Sequence, residues 1–543
     1  MTDPWKQAFL CETAVASIIS VQANNGVRVD KVKAGFYIHI LNEKINALDR
    51  QAVPQMPLML EKGCTATEPY TKAGVLKANV LKWFAAERIE FQVDGPFCGV
   101  SWRPFDMGKT EAIKEYLADL GWVPDTWKFK DITMHSSVKR PLNQKELDAA
   151  LENYMAGLKK SSLGRLKMRI LGLEPGKMTK RQVKEFLVKK KKVPSGAKLT
   201  EESLQKFEGG EIGLLLKQRL TYAHRRSLLK GVLELVRDDG RIEAQAITIG
   251  TPTMRMRHKG VVNIPKAAKY VLFGAQCRSI FCSGFCDQKD NPRGYIFYHS
   301  GVEPLPGTNA NSKGEVHKVW VPAGRRVFIG YDGAGLELRM LAHFINDPAY
   351  TQQILEGDIH SYNQRMAGLP NRDAAKTFIY AFLYGAGDEK IGSIIGGGRA
   401  QGKEIKDRFF ESLPLLKELI ERIKEDGEQG YVIGLDGRKL WLRKDAKGRP
   451  MTHKALNLLL QGAGATVMKY AMILLDEAIQ EEGLDALKVI DMHDEGQYDV
   501  HPRDVKRVRE LMDMCVKKAG EILGMNIPLA SDSIAGANWR DTH

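Results

Sequence analysis

The sequence predicts an α+β fold divided among several lobes. Its 543 residues are several times the length of one ordinary domain. Long stretches place apolar residues at helical spacing, whereas 241–330 and 487–500 read as short strands bounded by turn residues. A hydrophobic share of 43% and a charged share of 27% fit a globular chain and exclude an intrinsically disordered one.

In chain order, residues 12–48 carry Ile18, Ile19 and Val21, then Phe36, Ile38, Leu41 and Ile45, on either side of Asn24-Asn25-Gly26, which reads as a helical hairpin. The apolar start is flanked by Asp3 and Glu12 with Lys6 as its one base, so it is expected to be the first helix rather than a secretory leader. From 49 to 108 the prolines Pro54, Pro57, Pro69 and Pro96 leave the pattern irregular. A helix over 109–120 stops at Gly121 and Pro124. A basic segment follows, helical by its period (Leu151, Tyr154, Leu158, then Leu163, Leu166, Ile170), with four lysines at 189–192 before Pro194 and Gly196. Residues 200–240 read as long helices. Strand 327–331 leads to Asp332, and Gly333 and Gly335 precede a helix marked by Leu336, Met340, Leu341 and Phe344. Pro370 and Asn371 start a helix that Gly385 stops. Runs 487–492 and 497–500 form a hairpin with His-Asp-Glu-Gly at its tip.

The 81 Lys and Arg against 66 Asp and Glu give a net charge of +15, which favours a polyanionic partner, nucleic acid first and an anionic membrane surface second. Most of the excess sits in 159–198, where 14 Lys or Arg face only Glu174 and Glu185, a local surplus of twelve. One charge run is usually a solvated helix face; a patch this concentrated suits phosphate backbones. The most apolar region, 456–475, is interrupted by Asn457, Gln461 and Lys469, so no membrane partner is expected. Seven cysteines, odd and sparse, fit a reducing cytosol, and Cys277, Cys282 and Cys286 have the wrong spacing for a zinc knuckle and are expected as buried free thiols.

Candidate chemistry lies in the last third of the chain. An acid at a strand end is usually a turn former or a helix cap, but Asp494 and Glu495 at a hairpin tip crowd like charges that a divalent cation would compensate. Asp332 and Asp494 could meet if their strand ends are neighbours. Arg372, Lys376, Tyr380 and Tyr384 recur every four residues, on one side of the helix between them. A Tyr stripe alone would be core, yet cations on the same side are costly to bury without anions. Such a stripe suits a nucleoside triphosphate, with Arg372 and Lys376 on phosphates and Tyr380 on the base.

D-G-A-G-L-E-L-R at 332–339, R-D-A-A-K-T-F-I-Y-A-F-L-Y-G at 372–385 and H-D-E at 493–495 resemble the three motifs of family A DNA polymerases. G-D-I-H at 357–360, L-Y-G-A-G-D-E-K-I-G at 383–392, G-L-D-G-R-K at 434–439 and the ending N-W-R-D-T-H are most similar to the replicative enzymes of short-tailed bacteriophages. The similarity covers 12–125 loosely and 200–543 closely.

The resemblance implies a right-hand fold: a hairpin at 1–48, a helical thumb over 49–240 with a basic insertion at about 130–198, a mixed palm with an antiparallel sheet over 241–337 and 450–543, and helical fingers over 338–449. It implies that Asp332 and Asp494 hold two Mg2+ ions with the backbone carbonyl of Gly333, and that Glu495 acts from behind them. Lys376 would stabilise the triphosphate and protonate pyrophosphate, with Arg372 and His360 on the outer phosphates. Glu337, hydrogen-bonded to Tyr380, would be the steric gate against a 2′-hydroxyl. Tyr384 would position the templating base, and Arg255, Gln461 and His493 would touch the minor groove or the primer end. Primer-template DNA and dNTPs are the implied partners, and the setting is the host cytoplasm. An intrinsic exonuclease is not expected, since the first polymerase-like helix begins near residue 12. Residues 49–104 are shorter than the clamp-binding insertion of the phage enzymes, which leaves a processivity factor or a separate exonuclease open. The rivals are a single-subunit RNA polymerase, which Glu337 argues against, and a non-catalytic DNA-binding protein, which would leave the acids unexplained.

Overall fold

In the computed structural model, which describes residues 4–542 apart from 66–69, 88–97, 136–139, 160, 174–177, 201–202, 205–206, 208, 269, 300–316 and 446, the early helical periods become the helices Pro4–Asn25 and Lys31–Ala52. Of the sequence expectations, Pro69, Pro96 and Glu174 lie outside the described residues. Gly26 joins the two helices at φ +59°, where a Cβ would come within 3.1 Å of Arg241 and of the Ile242 carbonyl. The link is more than the expected turn. Val27–Val29 is a strand flanked by Arg241–Ile242 and Phe281–Cys282, a pairing of distant segments that no local pattern announces.

Two compact units divide the chain, one formed by Met1–Phe36 with Leu228–His543 and the other by Tyr37–Ser227. Their boundaries fall inside the helices Lys31–Ala52 and Gly210–Glu234, where the expected boundaries were 48 and 240.

Among its described residues the unit 37–227 has two larger cores beside a small one of Leu48, Ala52 and Leu215. One gathers Phe105, Ile113, Leu117, Trp122 and Leu216. The other gathers Ile132, Leu151, Leu158, Leu171, Leu187 and Val193 beneath the helices Gln144–Lys159, Ser162–Leu171 and Lys180–Lys190. Two corrections arise here. The segment that seemed irregular contains the paired strands Met59–Thr65 and Cys98–Arg103 and the helix Ala78–Glu87. The basic segment, helical by its period, ends instead in the strand Lys192–Ala197, opposite Trp127–Asp131, where a two-stranded ribbon with a bulge at Lys128/Phe129 tolerates Pro194.

The larger unit is built on a four-stranded antiparallel sheet in the order Ala486–Met492, Glu495–Val500, Val327–Gly333, Ser531–Gly536. The helices Leu336–Ile345, Ala455–Glu481 and Val505–Ile522 bury their apolar sides in one core with Ile329, Tyr331 and Tyr498. By length and composition the segment Thr452–Glu481 could cross a membrane, but 72% of its most apolar stretch is buried in the protein. Its Lys469 is buried too, and its ammonium donates to both Glu12 oxygens at 2.7 and 2.9 Å and to the Thr248 carbonyl at 2.9 Å. Glu12 also meets the buried Arg438, which pairs with Asp436. This network ties the first helix to the sheet's main supporting helix, and removing one member would leave a buried charge unmatched.

Cys277 and Cys282 are buried and form no disulfide among the described residues, whereas Cys286 is only half-buried.

Candidate active site

Sheet register brings the acids together. Asp332 is the sixth residue of Val327–Gly333 and pairs with Glu495 on one side and Asp532 on the other. Met492 pairs with Glu495, so His493 and Asp494 alone form the hairpin turn and lie beside the end of the Asp332 strand. His493 takes φ +64°, a conformation rare without glycine, and its amide donates to Nε2 of His258 at 3.4 Å while the two rings meet edge to face at 5.3 Å. Gly496 is required by close approach: a Cβ would lie 2.3 Å from the Tyr331 ring.

This crowding shows in the titration of the acids. The Asp332 carboxyl is pushed up to about 7, first by burial among its neighbours and then by Asp494 and Glu495. Asp494 is also raised, by burial and then by Glu337. Glu495 points into the protein, where it is buried and accepts from Gln497 Nε2 at 2.6 Å and from the Trp539 indole; Arg278, stacked on Trp539, approaches it at 3.9 Å.

Among the described residues no group of three or more His, Cys, Asp or Glu side chains is arranged to hold a metal. Two raised carboxylates remain, a set that suits magnesium, which takes one or two carboxylates and completes its shell with water and substrate phosphate oxygens.

The sequence stripe lies on the helix Arg372–Leu383, whose N-cap Asn371 accepts from the Ala374 amide at 2.8 Å, with Tyr384 at its C-cap. Lys376 is exposed, and Arg372 is bound to Asp358 by two hydrogen bonds of 2.7 and 3.1 Å. That pairing, followed by a bond from Ser361, holds the Asp358 carboxyl well below the usual range. The His360 ring sits 6.2 Å from Tyr380, and its basicity is lowered by burial and then by Arg372 and Lys376. The Tyr380 phenol is raised by burial and then by Glu337, Asp494 and Asp332, so this residue of the basic helix feels the acids.

One expected contact is corrected. Glu337, in the first turn of Leu336–Ile345, accepts from the Tyr384 hydroxyl at 3.0 Å and from Arg255 at 3.2 Å; no hydrogen bond joins it to Tyr380 among the described residues. Tyr384 stands one helical turn farther along, and burial followed by Glu337 pushes its phenol to about 12. The structure thus groups Asp332, Asp494, Glu337, Arg255, Tyr384 and Tyr380, and separately Arg372, His360 and Lys376. Gln461 is half-buried on Ala455–Glu481 and makes none of these contacts. Sequence reasoning missed His258, Asp358 and Trp539. The last two stand inside the motifs G-D-I-H and N-W-R-D-T-H, but nothing local identified their partners.

Comparison with known proteins bears on the family and the fold. The profile described as DNA polymerase family A matches residues 176–541. A DNA-directed DNA polymerase of Escherichia phage Phieco32 is 39% identical over the full length of both chains. The DNA-directed DNA polymerase of Escherichia phage T7 is 34% identical over 58% of this chain and 43% of its own. Among solved structures, the POL domain of Pol1 from M. smegmatis in complex with DNA primer-template and dNTP superposes with a TM-score of 0.56 at 15% identity, covering 98% of this chain and 70% of that one.

Proposed function

The chain belongs to DNA polymerase family A, a template-directed DNA polymerase, and we propose that it extends a primer 3′-hydroxyl with dNTPs through the acid corner and the basic helix described above. The observation that carries the residue assignment is the crowding of Asp332 by Asp494 and Glu495, strong enough to push its carboxyl to about 7.

Divalent metal use follows from the family. Two Mg2+ ions held by Asp332, Asp494 and the Gly333 carbonyl would activate the attacking oxygen and neutralise charge on the leaving pyrophosphate. Arg372, His360 and Lys376 bind the triphosphate, with Lys376 placed to give a proton to the pyrophosphate. Tyr380 covers the base and sugar. Glu337, steadied by Arg255 and Tyr384, fills the space of a 2′-hydroxyl, so ribonucleotides clash. Release of Tyr384 from Glu337 would free its ring to meet the templating base. Arg255, His493 and Gln461 contact the primer-template minor groove, where polar groups sense pair shape more than sequence. Glu495, held by Trp539 and Gln497, keeps the Asp494 turn against the Asp332 strand. In this reading the enzyme replicates phage DNA in the host cytoplasm, with an accessory processivity factor or a separate exonuclease as further partners.

Asp332→Asn and Asp494→Asn are each expected to lower templated primer extension by about a thousandfold or more, the equivalent of several kcal/mol of lost transition-state stabilisation, while primer-template binding persists. Extension at the parental rate by either variant overturns the assignment.

A further inference from the structure

The ribbon and three helices over 127–198 share one core, with Leu163 and Ala197 packed into the neighbouring one. We propose that their surface binds the phosphate backbone of duplex DNA.

The cations are fixed and largely unspent. Arg169, Lys180, Lys189, Lys191, Lys192 and Lys198 are exposed and form no ion pair with described residues, whereas Arg181 is matched by Glu185 and Lys184 by Glu152. Asp131 lies near the lysine run, its carboxyl held down first by hydrogen bonds from Thr133 and then by Lys191 and Lys192.

Helix-end electrostatics explains part of this set. Lys189 and Lys190 close the helix Lys180–Lys190, where cations favour the C-terminal dipole. It does not explain Lys180 at the N-terminal end of that helix, nor Lys192 and Lys198 at either end of the ribbon strand. Lys191 adopts φ +56° and ψ −57°, strained for a side chain bearing a Cβ, and its carbonyl accepts from the Ile132 amide at 2.9 Å. The backbone is thereby turned so that the lysine run belongs half to the helix and half to the ribbon.

The scarcity of rings selects the partner. Single strands are held by aromatic platforms that stack successive bases. In 159–198 the one aromatic is Phe186, half-buried with the Lys190 ammonium over its ring, and the facing strand adds a single exposed ring, Phe129. Positive charge without stacking is what a duplex backbone needs.

The test uses the full chain with Lys180, Lys189, Lys192 and Lys198 changed together to Gln, which keeps most of each stem and leaves the core untouched. Duplex affinity is measured over a salt series. The expected slope of log affinity against log salt is shallower by about 0.9 for each phosphate that is no longer neutralised, up to about 3 to 4 for all four lysines. Unchanged circular dichroism and thermal midpoint show that the variant is folded, and Glu in place of Gln should deepen the loss. An unchanged slope overturns the proposal. An equal loss for single-stranded and duplex DNA also overturns it. Single-nucleotide incorporation at saturating DNA reads the polymerase separately; a parent that binds duplex without incorporating would sink that reading and leave this comparison standing.

Discussion

The acid corner and the basic helix carry opposite charges in opposite ways. Asp332 and Asp494 are placed by backbone register, one on a central strand and one in a two-residue turn beside it, so they cannot move apart without breaking sheet pairing. Arg372 and Lys376 stand on the exposed side of a helix, and Arg372 spends its charge on Asp358. Repulsion is therefore built into the corner, relieved by a proton on Asp332 and, in the proposed reading, by a cation, while the helix side chains would be able to exchange partners for a triphosphate. In the proposed reading the rigid element would set where chemistry occurs and the adaptable one would respond to substrate.

That contrast yields graded expectations. Lys376→Ala should slow single-turnover incorporation by about a hundredfold, the low end of the range for losing a positioned proton donor, with primer-template affinity unchanged. A change confined to the KM for dNTP would make Lys376 a binding residue only. Glu337→Ala should cost less in dNTP incorporation but relax rejection of ribonucleotides by about tenfold or more, read as the ratio of kcat/KM for the two sugars. Unaltered discrimination would remove Glu337 from the gate. Asp358→Ala should have the smallest effect: the Arg372 pair is exposed, so freeing it lowers the KM for dNTP by at most about fivefold. A rise in KM would show that Asp358 positions Arg372 for the phosphate instead of competing for it.

Much of this was legible in local pattern. The strand to Asp332, the hairpin tip and the Asn371-capped helix are each written in a few adjacent residues, and the structure has them as Val327–Gly333, the His493–Asp494 turn and Arg372–Leu383. What stayed hidden depends on contacts between distant segments. Glu337 could reach either tyrosine of the stripe, and only packing against Arg255 decides for Tyr384. Val27–Val29 becomes a strand because Arg241–Ile242 and Phe281–Cys282 lie on either side, and Pro194 is tolerated because its strand belongs to a two-stranded ribbon. His258 carries no signal of its own; its role comes from the strained amide it accepts.

The pH behaviour of Asp332 follows from the same geometry. A carboxyl raised to about 7 in the folded state favours folding when protonated, and this contribution is lost as pH rises from the unfolded value near 4 through 7. Cation binding must displace that proton, so metal affinity should strengthen as pH rises through the same window. The most direct measurement is the titration of the Asp332 carboxyl carbon by nuclear magnetic resonance, without and with Mg2+, in the parent and in Asp494→Asn. Crowding at the acid corner predicts a midpoint near 7 without metal, a lower one in Asp494→Asn, and a large downward shift on adding Mg2+ that shrinks in that variant. A midpoint near 4 in every sample, indifferent to Asp494 and to Mg2+, would contradict it.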